Sequence, residues 1–297
     1  MIRAKPFLKW AGGKSQLISE IQAVVLRKFD RDRSFVYIEP FIGGGAFLFY
    51  ILNHFSNLEK AIINDINSDL VQSYCTIKEE HEALINSLAI IEQEYYNLHT
   101  DTQKKNFYLK KRVEFNQTNV TDRIVKTTLL IFLNRTCFNG LYRVNQKGVF
   151  NVPFGKHKKP KICDRDNICA VHQCLKNVDI LQGDFAKTLD FAGKNTLFYL
   201  DPPYKPLNPT SAFTAYSKEN FGDRDQLRLK DFCDRVSQKG GHFLLSNSDV
   251  QNGDRDRSFF DDLYDADYTI KRVKAKRNIN SKGDSRGEIS EVLISNF

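Results

Sequence analysis

Residues 35–45 have the sequence FVYIEPFIGGG, and this stretch decides the fold of the chain. It begins with a β-prone apolar run at 35–38 and ends in a glycine turn, and residues 46–55 then have the pattern of a helix. A second apolar run at 61–63 ends in Asn64 and Asp65. A strand, a glycine turn, a helix, a strand and an acid, in that order, open a doubly wound sheet.

The rest of the chain extends this α/β pattern and interrupts it once. We predict a helix over 17–25, another over 223–236, and strands over 178–181, 196–200, 242–245, 268–273 and 289–294. Between 73 and 163 the alternation is lost, and helical segments over about 79–98, 103–117 and 121–135 precede a possible hairpin over 141–152. The predicted organisation is an α/β catalytic domain made of 1–72 and 164–297, with an insertion at 73–163.

The bulk composition favours a globular protein with a polyanionic partner. The 297 residues carry a net charge of +8 and are 41% hydrophobic, although ribosome-associated and anion-metabolising proteins are also basic. We expect no signal peptide and no membrane span. The six cysteines lack CxxC or zinc spacing, so we expect reduced thiols, no metal site and a location inside the cell.

The glycine turn predicts close approach of the backbone to a ligand. Leu48 occupies the third glycine position of a GxGxxG pattern, which argues against a dinucleotide and therefore against an oxidoreductase. Asp65, about twenty residues after the first strand, could accept hydrogen bonds from ribose hydroxyls. The alternative role of Asp65 is to cap a helix that starts at Ile66.

Residues 201–204 have the sequence DPPY and directly follow the apolar strand at 196–200. The lone pair of a planar exocyclic amine is delocalised into its ring, which makes the amine a poor nucleophile. The Asp201 carboxylate and the Pro202 carbonyl could accept its two hydrogens and localise the lone pair, while Tyr204 stacks on the base. A turn that is only braced by prolines is the alternative.

Two stretches concentrate positive charge. Residues 135–161 contain seven Lys or Arg and no Asp or Glu, and Lys156, Lys158 and Lys159 within them suit phosphates. Arg143 is a candidate for bidentate contact with guanine. Residues 271–286 contain seven more basic residues, which would contact the nucleic-acid backbone or support the cofactor pocket. Such runs are also typical of an ordinary solvated surface.

Several motifs together resemble one family. They are FLKWAGGK at 7–14, EPFIGGG at 39–45, NGLYR at 139–143, FNVPFG at 150–155 and DPPY at 201–204. In order and spacing they resemble the Dam-like D12 class (alpha group) of N6-adenine-specific DNA methyltransferases. The resemblance implies a class I fold dependent on S-adenosylmethionine, with a seven-stranded, mostly parallel sheet and a helical DNA-recognition insertion. It also implies methylation of N6 of a flipped adenine in double-stranded DNA, within GATC.

The site residues follow from the motifs and from the resemblance together. Catalytic roles are predicted for Asp201, Pro202 and Tyr204. Cofactor contacts are predicted for Trp10, Lys14, Glu39, Phe41, Gly43, Gly45, Asp65, Asp184 and Asp201. DNA contacts are predicted for Lys9, Phe138, Asn139, Leu141, Arg143, Pro153, Lys156, Lys158 and Lys159.

Some of these assignments have alternatives. Asp184 could meet the adenine amino group of the cofactor or simply cap a helix before Ala186, and Trp10 could be a core residue. Phe138 stands where some relatives have tyrosine, a change that keeps its stacking role. Residues 205–222 form either a lid over the target base or a surface loop.

Other functions also remain open at this point. The DPPY motif could serve N4 of cytosine, or an amide nitrogen of RNA or protein, and a non-catalytic DNA-binding protein could keep the fold. We further expect a monomer in the cytoplasm, encoded by a bacterium or a phage. A cognate restriction endonuclease would be a genetic partner only.

Overall fold

A computed structural model describes residues 2–10, 17–29, 33–117, 122–204, 221–249, 259–276 and 288–297. Within these ranges the strands are β1 (Phe35–Glu39), β2 (Leu58–Asp65), β3 (Val178–Gln182), β4 (Thr196–Leu200), β5 (His242–Ser248), β6 (Thr269–Lys276) and β7 (Glu288–Ser295). The helices are α1 (Ile18–Lys28), α2 (Ala46–His54), α3 (Ser68–Tyr96), α4 (Asp101–Gln117), α5 (Arg123–Thr136), α6 (Arg165–Leu175), α7 (Asp223–Gln238) and α8 (Phe259–Tyr264). Short 3₁₀ turns occupy Phe138–Gly140 and Phe185–Phe191.

The described strands form one seven-stranded sheet in the order β3-β2-β1-β4-β5-β7-β6. Neighbouring strands from β3 to β5 are parallel, and β7 runs antiparallel to both β5 and β6. This arrangement confirms the predicted mostly parallel class I fold. It also places the carboxyl ends of β1, β2, β3 and β4 along one edge, where open α/β sheets bind their ligands.

Both faces of the sheet are buried, which explains the continuous apolar runs of its central strands. In β4, Leu197 and Tyr199 join the core beneath the helical insertion, while Phe198 and Leu200 join the core beneath α7 and α8. Helix α7 buries Leu229, Phe232, Cys233 and Val236, a spacing that presents one apolar face to the sheet.

The helices between β2 and β3 pack around α3. Helix α3 packs against α5 and α6, and α4 packs against α5. The helix predicted over 79–98 begins at Ser68, because Asn67 caps it by accepting the Leu70 N–H at 3.1 Å. Its backbone leaves helical geometry at Glu80 (φ −134°, ψ 32°). Since α3 runs through residue 73, it belongs to both predicted parts, and the division at 73 and 163 stays a prediction.

The hairpin predicted over 141–152 is confirmed. Val144 and Phe150 form an antiparallel bridge, and the Asn151 N–H donates to the Arg143 carbonyl at 3.1 Å. Helices α6 and α8 and the turn at Phe185–Phe191 were not predicted from the sequence.

Candidate active site and DNA interface

Four acids gather at the carboxyl edge of the sheet. Glu39 ends β1, Asp65 ends β2, Asp184 follows β3 and Asp201 follows β4. The strands are adjacent in the order β3-β2-β1-β4, so these acids form a continuous row. The sequence prediction that strand ends would supply the polar groups of the site is consistent with this placement.

The glycine turn after β1 closes tightly on Asp65. The Asp65 carboxylate accepts the Gly43 N–H at 3.1 Å and the Asn67 N–H at 2.9 Å. Gly43 and Gly45 have positive φ values of 47° and 69°, and a Cβ at Gly45 would lie 2.5 Å from the Tyr74 hydroxyl. Glycine is therefore required for this backbone path. The helix cap weighed for Asp65 belongs instead to Asn67.

The surroundings of Asp65 act in opposite directions on the pKa of its carboxyl. Burial raises the pKa of its carboxyl, while the N–H groups of Asn67 and Gly43 oppose that shift. A carboxylate has about four lone-pair sites, so Asp65 retains acceptor capacity beyond its backbone contacts. The residue can therefore accept further hydrogen bonds from hydroxyl groups of a ligand.

Glu39 points into the core rather than into open space. Its side chain is 3% exposed, and its carboxylate accepts the Tyr37 hydroxyl at 2.7 Å. Burial raises the pKa of Glu39 well above its ordinary value, and the negative charge of Asp201 adds to that shift. Both effects disfavour the ionised form of Glu39 beside Asp201.

The DPPY segment is supported by the two strands beside it. Asp201 is half-buried and accepts a hydrogen bond from the Ser246 hydroxyl of β5 at 3.3 Å. The Tyr199 hydroxyl lies 3.2 Å from the same Ser246 oxygen. Tyr204 donates its hydroxyl proton to Glu291 of β7 at 2.7 Å. Ser246, Tyr199 and Glu291 were not among the residues expected from the sequence.

Aromatic rings border the acids on the β3 side. Phe41 and Phe185 have ring centroids 5.2 Å apart, and Phe221 lies 5.8 Å from Phe41. Asp184 caps the 3₁₀ turn by accepting the Ala186 N–H at 2.9 Å, which confirms the capping alternative. Its second oxygen accepts from Arg228 at 3.0 Å. A ligand contact by Asp184 remains a prediction.

The N-terminal segment lies against both the glycine turn and the insertion. A Cβ at Gly43 would lie 3.0 Å from the Trp10 ring, which therefore covers the turn. On its other side Trp10 stacks on Tyr142, with centroids 5.3 Å apart. Lys9 is exposed beside it. Lys14 lies outside the described residues.

The residues predicted to contact DNA gather around one hairpin. The Phe138 N–H donates to the Pro153 carbonyl at 2.9 Å, which joins the two predicted segments. Phe138 is 47% exposed, and Asn139 beside it is exposed with a φ of 56°. The Arg143 Nε donates to the Asn151 side chain at 2.8 Å, which holds the guanidinium in place.

The other residues predicted to contact DNA and the second basic stretch differ in their surroundings. Lys156, Lys158 and Lys159 are exposed, and Leu141 is half-buried. In the second basic stretch Lys271 pairs with Glu20 at 2.7 Å, and Arg272 contacts Asp261. Residues 205–220 and 277–287, which include most of the predicted lid and the rest of that stretch, lie outside the described residues.

Across the described ranges, no three His, Cys, Asp or Glu side chains come together as a metal site would need. In the same part of the chain, no helix is long and apolar enough to cross a bilayer.

This sheet order, with an acid-proline-proline-tyrosine turn after β4, is that of a class I methyltransferase. The model of the D12 class N6 adenine-specific DNA methyltransferases matches residues 10–279. The chain belongs to this family. It is an adenine-specific DNA methyltransferase, with DNA as its substrate and S-adenosylmethionine as its methyl donor.

Relatives match along nearly their whole length. The Type II methyltransferase M.MjaIII of Methanocaldococcus jannaschii is 46% identical, and the alignment covers 100% of both chains. The Type II methyltransferase M1.LlaDCHI of Lactococcus lactis subsp. cremoris is 36% identical over 100% of this chain and 96% of its own. The DNA adenine methylase of Haemophilus influenzae is 33% identical, over 98% and 93% respectively.

The described residues suit the methyl donor chemically. Asp65 offers acceptor capacity beside the glycine turn, as ribose hydroxyls require. The rings of Phe41 and Phe185 offer an apolar wall one strand away, as an adenine ring requires.

Proposed function

We propose that this enzyme methylates N6 of an adenine that has been flipped out of a GATC site in double-stranded DNA. The observation that carries the proposal is the position of Asp201 and Pro202. They lie at the end of β4, next to the glycine turn of β1, with the basic hairpin packed against the same turn through Trp10. A base inside a duplex cannot bring its exocyclic amine to such an edge, so flipping is required.

Asp201 and Pro202 would prepare the amine for attack. The carboxylate and the backbone carbonyl accept its two hydrogens, and Ser246 fixes the carboxylate that does so. Tyr204, tied to Glu291, would present its ring to the flipped base. S-adenosylmethionine, when bound, supplies an electrophilic methyl group. Positioning provides most of the rate, and the acidic proton of the methylated nitrogen can leave to water or to Asp201.

The donor would lie over the glycine turn. In this proposal Asp65 accepts from the ribose, while Phe41 and Asp184 face its adenine. Gly43 and Gly45 allow close approach, and Trp10 shields the other side. Glu39 would act from within the core, and Lys14 would bind the methionine carboxylate.

The hairpin and the segment before it would read the DNA. Arg143, held by Asn151, contacts guanine, and Lys9 supplies a second guanine contact. Leu141 and Pro153 offer apolar contact to a thymine methyl group. Phe138 and Asn139 fill the space that the flipped base leaves. Lys156, Lys158 and Lys159 bind phosphates.

We further propose that the enzyme acts as a monomer, because one chain supplies all four acids of the row. We also propose that it acts in the cytoplasm. Two relatives carry the name Type II methyltransferase, which supports a cognate restriction endonuclease as a genetic partner.

The test is methyl transfer to a set of duplexes in which each base pair of GATC is replaced in turn. We expect transfer only to the intact site, and 2-aminopurine at the target position should brighten when the enzyme binds. Equal transfer to all duplexes would refute the GATC assignment. Unchanged fluorescence on binding of the 2-aminopurine duplex, by an enzyme that methylates the same duplex with adenine at that position, would refute flipping there.

A further inference from the structure

Tyr142 lies between the DNA-reading hairpin and the cofactor turn, next to Arg143. Its ring stacks on Trp10 with an interplanar angle of 23°, and only 5% of the residue is exposed. Its hydroxyl donates to the Asp69 carboxylate at 3.0 Å. The hairpin therefore contacts the catalytic domain through a buried, ordered side chain rather than through solvent.

Trp10 continues this contact into the glycine turn. A Cβ at Gly43 would lie 3.0 Å from the Trp10 ring, and one at Gly44 would lie 2.9 Å from the Trp10 Cβ. The Gly43 N–H in turn donates to Asp65. A shift of the Trp10 ring would therefore move the backbone that holds the Asp65 carboxylate.

The hydroxyl of Tyr142 contacts the segment that follows β2, which also holds Asp65. Asp69 lies in the first turn of α3, directly after the capping residue Asn67 and Ser68. The Asn67 N–H donates to Asp65 at 2.9 Å. The Lys126 ammonium of α5 also lies 3.7 Å from the Asp69 carboxylate. Tyr142 thus contacts the segment after β2 directly and the glycine turn through Trp10.

Asn134 joins the backbones of the two segments that carry the stacked rings. Its side chain accepts the Lys9 N–H at 2.8 Å and donates both to the Lys9 carbonyl at 2.8 Å and to the Gly140 carbonyl at 2.9 Å. The residue is 1% exposed. Lys9, Trp10 and the 140–142 segment therefore behave as one packed unit.

We propose that Tyr142 is a positioning residue that couples DNA recognition at the hairpin to cofactor binding at the glycine turn. The proposal rests on the proposed function, because it takes Arg143 as a DNA contact and Asp65 as a cofactor contact. A duplex bound at the hairpin would restrain Tyr142, and through it Trp10 and the glycine turn, in the arrangement seen here. Linkage then requires DNA to tighten cofactor binding and cofactor to tighten DNA binding by the same factor.

The experiment measures this coupling factor as the ratio of the cofactor-analogue Kd without DNA to the Kd with DNA. Calorimetry gives the Kd of a non-reactive amino analogue of S-adenosylmethionine, with and without the duplex that the wild-type enzyme methylates. We expect the duplex to tighten binding by roughly fivefold or more in the wild type. Tyr142→Leu should bring the factor within about twofold of one, and Tyr142→Phe, which keeps the stack, should retain most of it. Tyr95→Leu is the matched control, since Tyr95 is a buried tyrosine of α3 whose ring contacts Phe107 and Phe132.

The single tryptophan of the chain provides an independent readout. Fluorescence of Trp10 should change on duplex binding in the wild type and in Tyr142→Phe, and much less in Tyr142→Leu. A full coupling factor in a folded Tyr142→Leu variant would overturn the proposal. So would a wild-type factor of one, which keeps the test decisive if Tyr142→Leu does not fold. Absence of methyl transfer by the wild type would instead refute the proposed function.

Discussion

Replacing Ser246 by alanine would test how the catalytic carboxylate is oriented. Ser246 is fully buried in β5, and Leu245 before it pairs with Leu200, the residue that precedes Asp201. Its hydroxyl donates to Asp201 at 3.3 Å and lies 3.2 Å from the Tyr199 hydroxyl. Alanine removes the donor without adding volume, so Asp201 would lose a fixed partner and gain rotational freedom.

The expected loss follows from the geometry of this hydrogen bond. A hydrogen bond to a charged group contributes about 1.5–3 kcal/mol, and the long distance here favours the lower end. A loss of about 1.4 kcal/mol in the transition state lowers the rate about tenfold. Tyr199→Phe should have a smaller effect, because Tyr199 acts through Ser246. The double variant should be no slower than Ser246→Ala alone.

Single-turnover methyl transfer from labelled S-adenosylmethionine is the suitable assay, with the thermal midpoint measured alongside. Ser246→Ala should lower this rate more than it weakens cofactor binding, since Ser246 orients the carboxylate that accepts from the amine. Ser237→Ala is a control, because that serine donates to the Cys233 carbonyl at 3.0 Å on α7. A wild-type rate in a Ser246→Ala variant with a lowered midpoint would show that Ser246 is purely structural.

Three further predictions concern discrimination, catalysis and pH. Arg143→Ala should lower the preference for GATC over a guanine-substituted duplex by about 5- to 150-fold in kcat/KM, because a bidentate contact is worth about 1–3 kcal/mol; equal weakening on every sequence would indicate a phosphate contact instead. Asp201→Ala should abolish methyl transfer, while the duplex Kd measured by fluorescence anisotropy stays within about threefold of the wild-type value. Methyl transfer at the wild-type rate would refute the catalytic role of Asp201. Burial raises the pKa of Glu39 in the folded state. Above the ordinary pKa of glutamate, the folded state therefore holds a proton that the unfolded state has lost, and the free energy of unfolding falls as pH rises. The thermal midpoint of Glu39→Gln relative to the wild type should therefore increase between about pH 5 and pH 8, and a difference that does not vary with pH would contradict this.

The centre of the sheet was predictable because β1 and β4 are short, continuous apolar runs followed by polar residues. The bounds of β4 agree with the prediction at both ends. Helix α3 was predicted too short because its start depends on Asn67, whose capping role only the structure shows. Helix α6 was missed although Ile168, Val171 and Leu175 follow helical spacing, and α8 has only six residues.

The candidate site was predictable only where its residues follow strand ends. Asp65 and Asp201 belong to that group. Ser246 could not be predicted, because its contact with Asp201 depends on the pairing of β5 with β4, which no local pattern encodes. The stack of Trp10 on Tyr142 joins distant parts of the chain for the same reason.

The most direct test of the central claim is to identify the methylated nucleoside. The enzyme would be incubated with labelled S-adenosylmethionine and duplexes with and without GATC, and each duplex would then be digested to nucleosides. We predict label in N6-methyladenine, and only from duplexes that contain GATC. Label in N4-methylcytosine, or no label in a complex that binds both cofactor and DNA, would contradict the assignment.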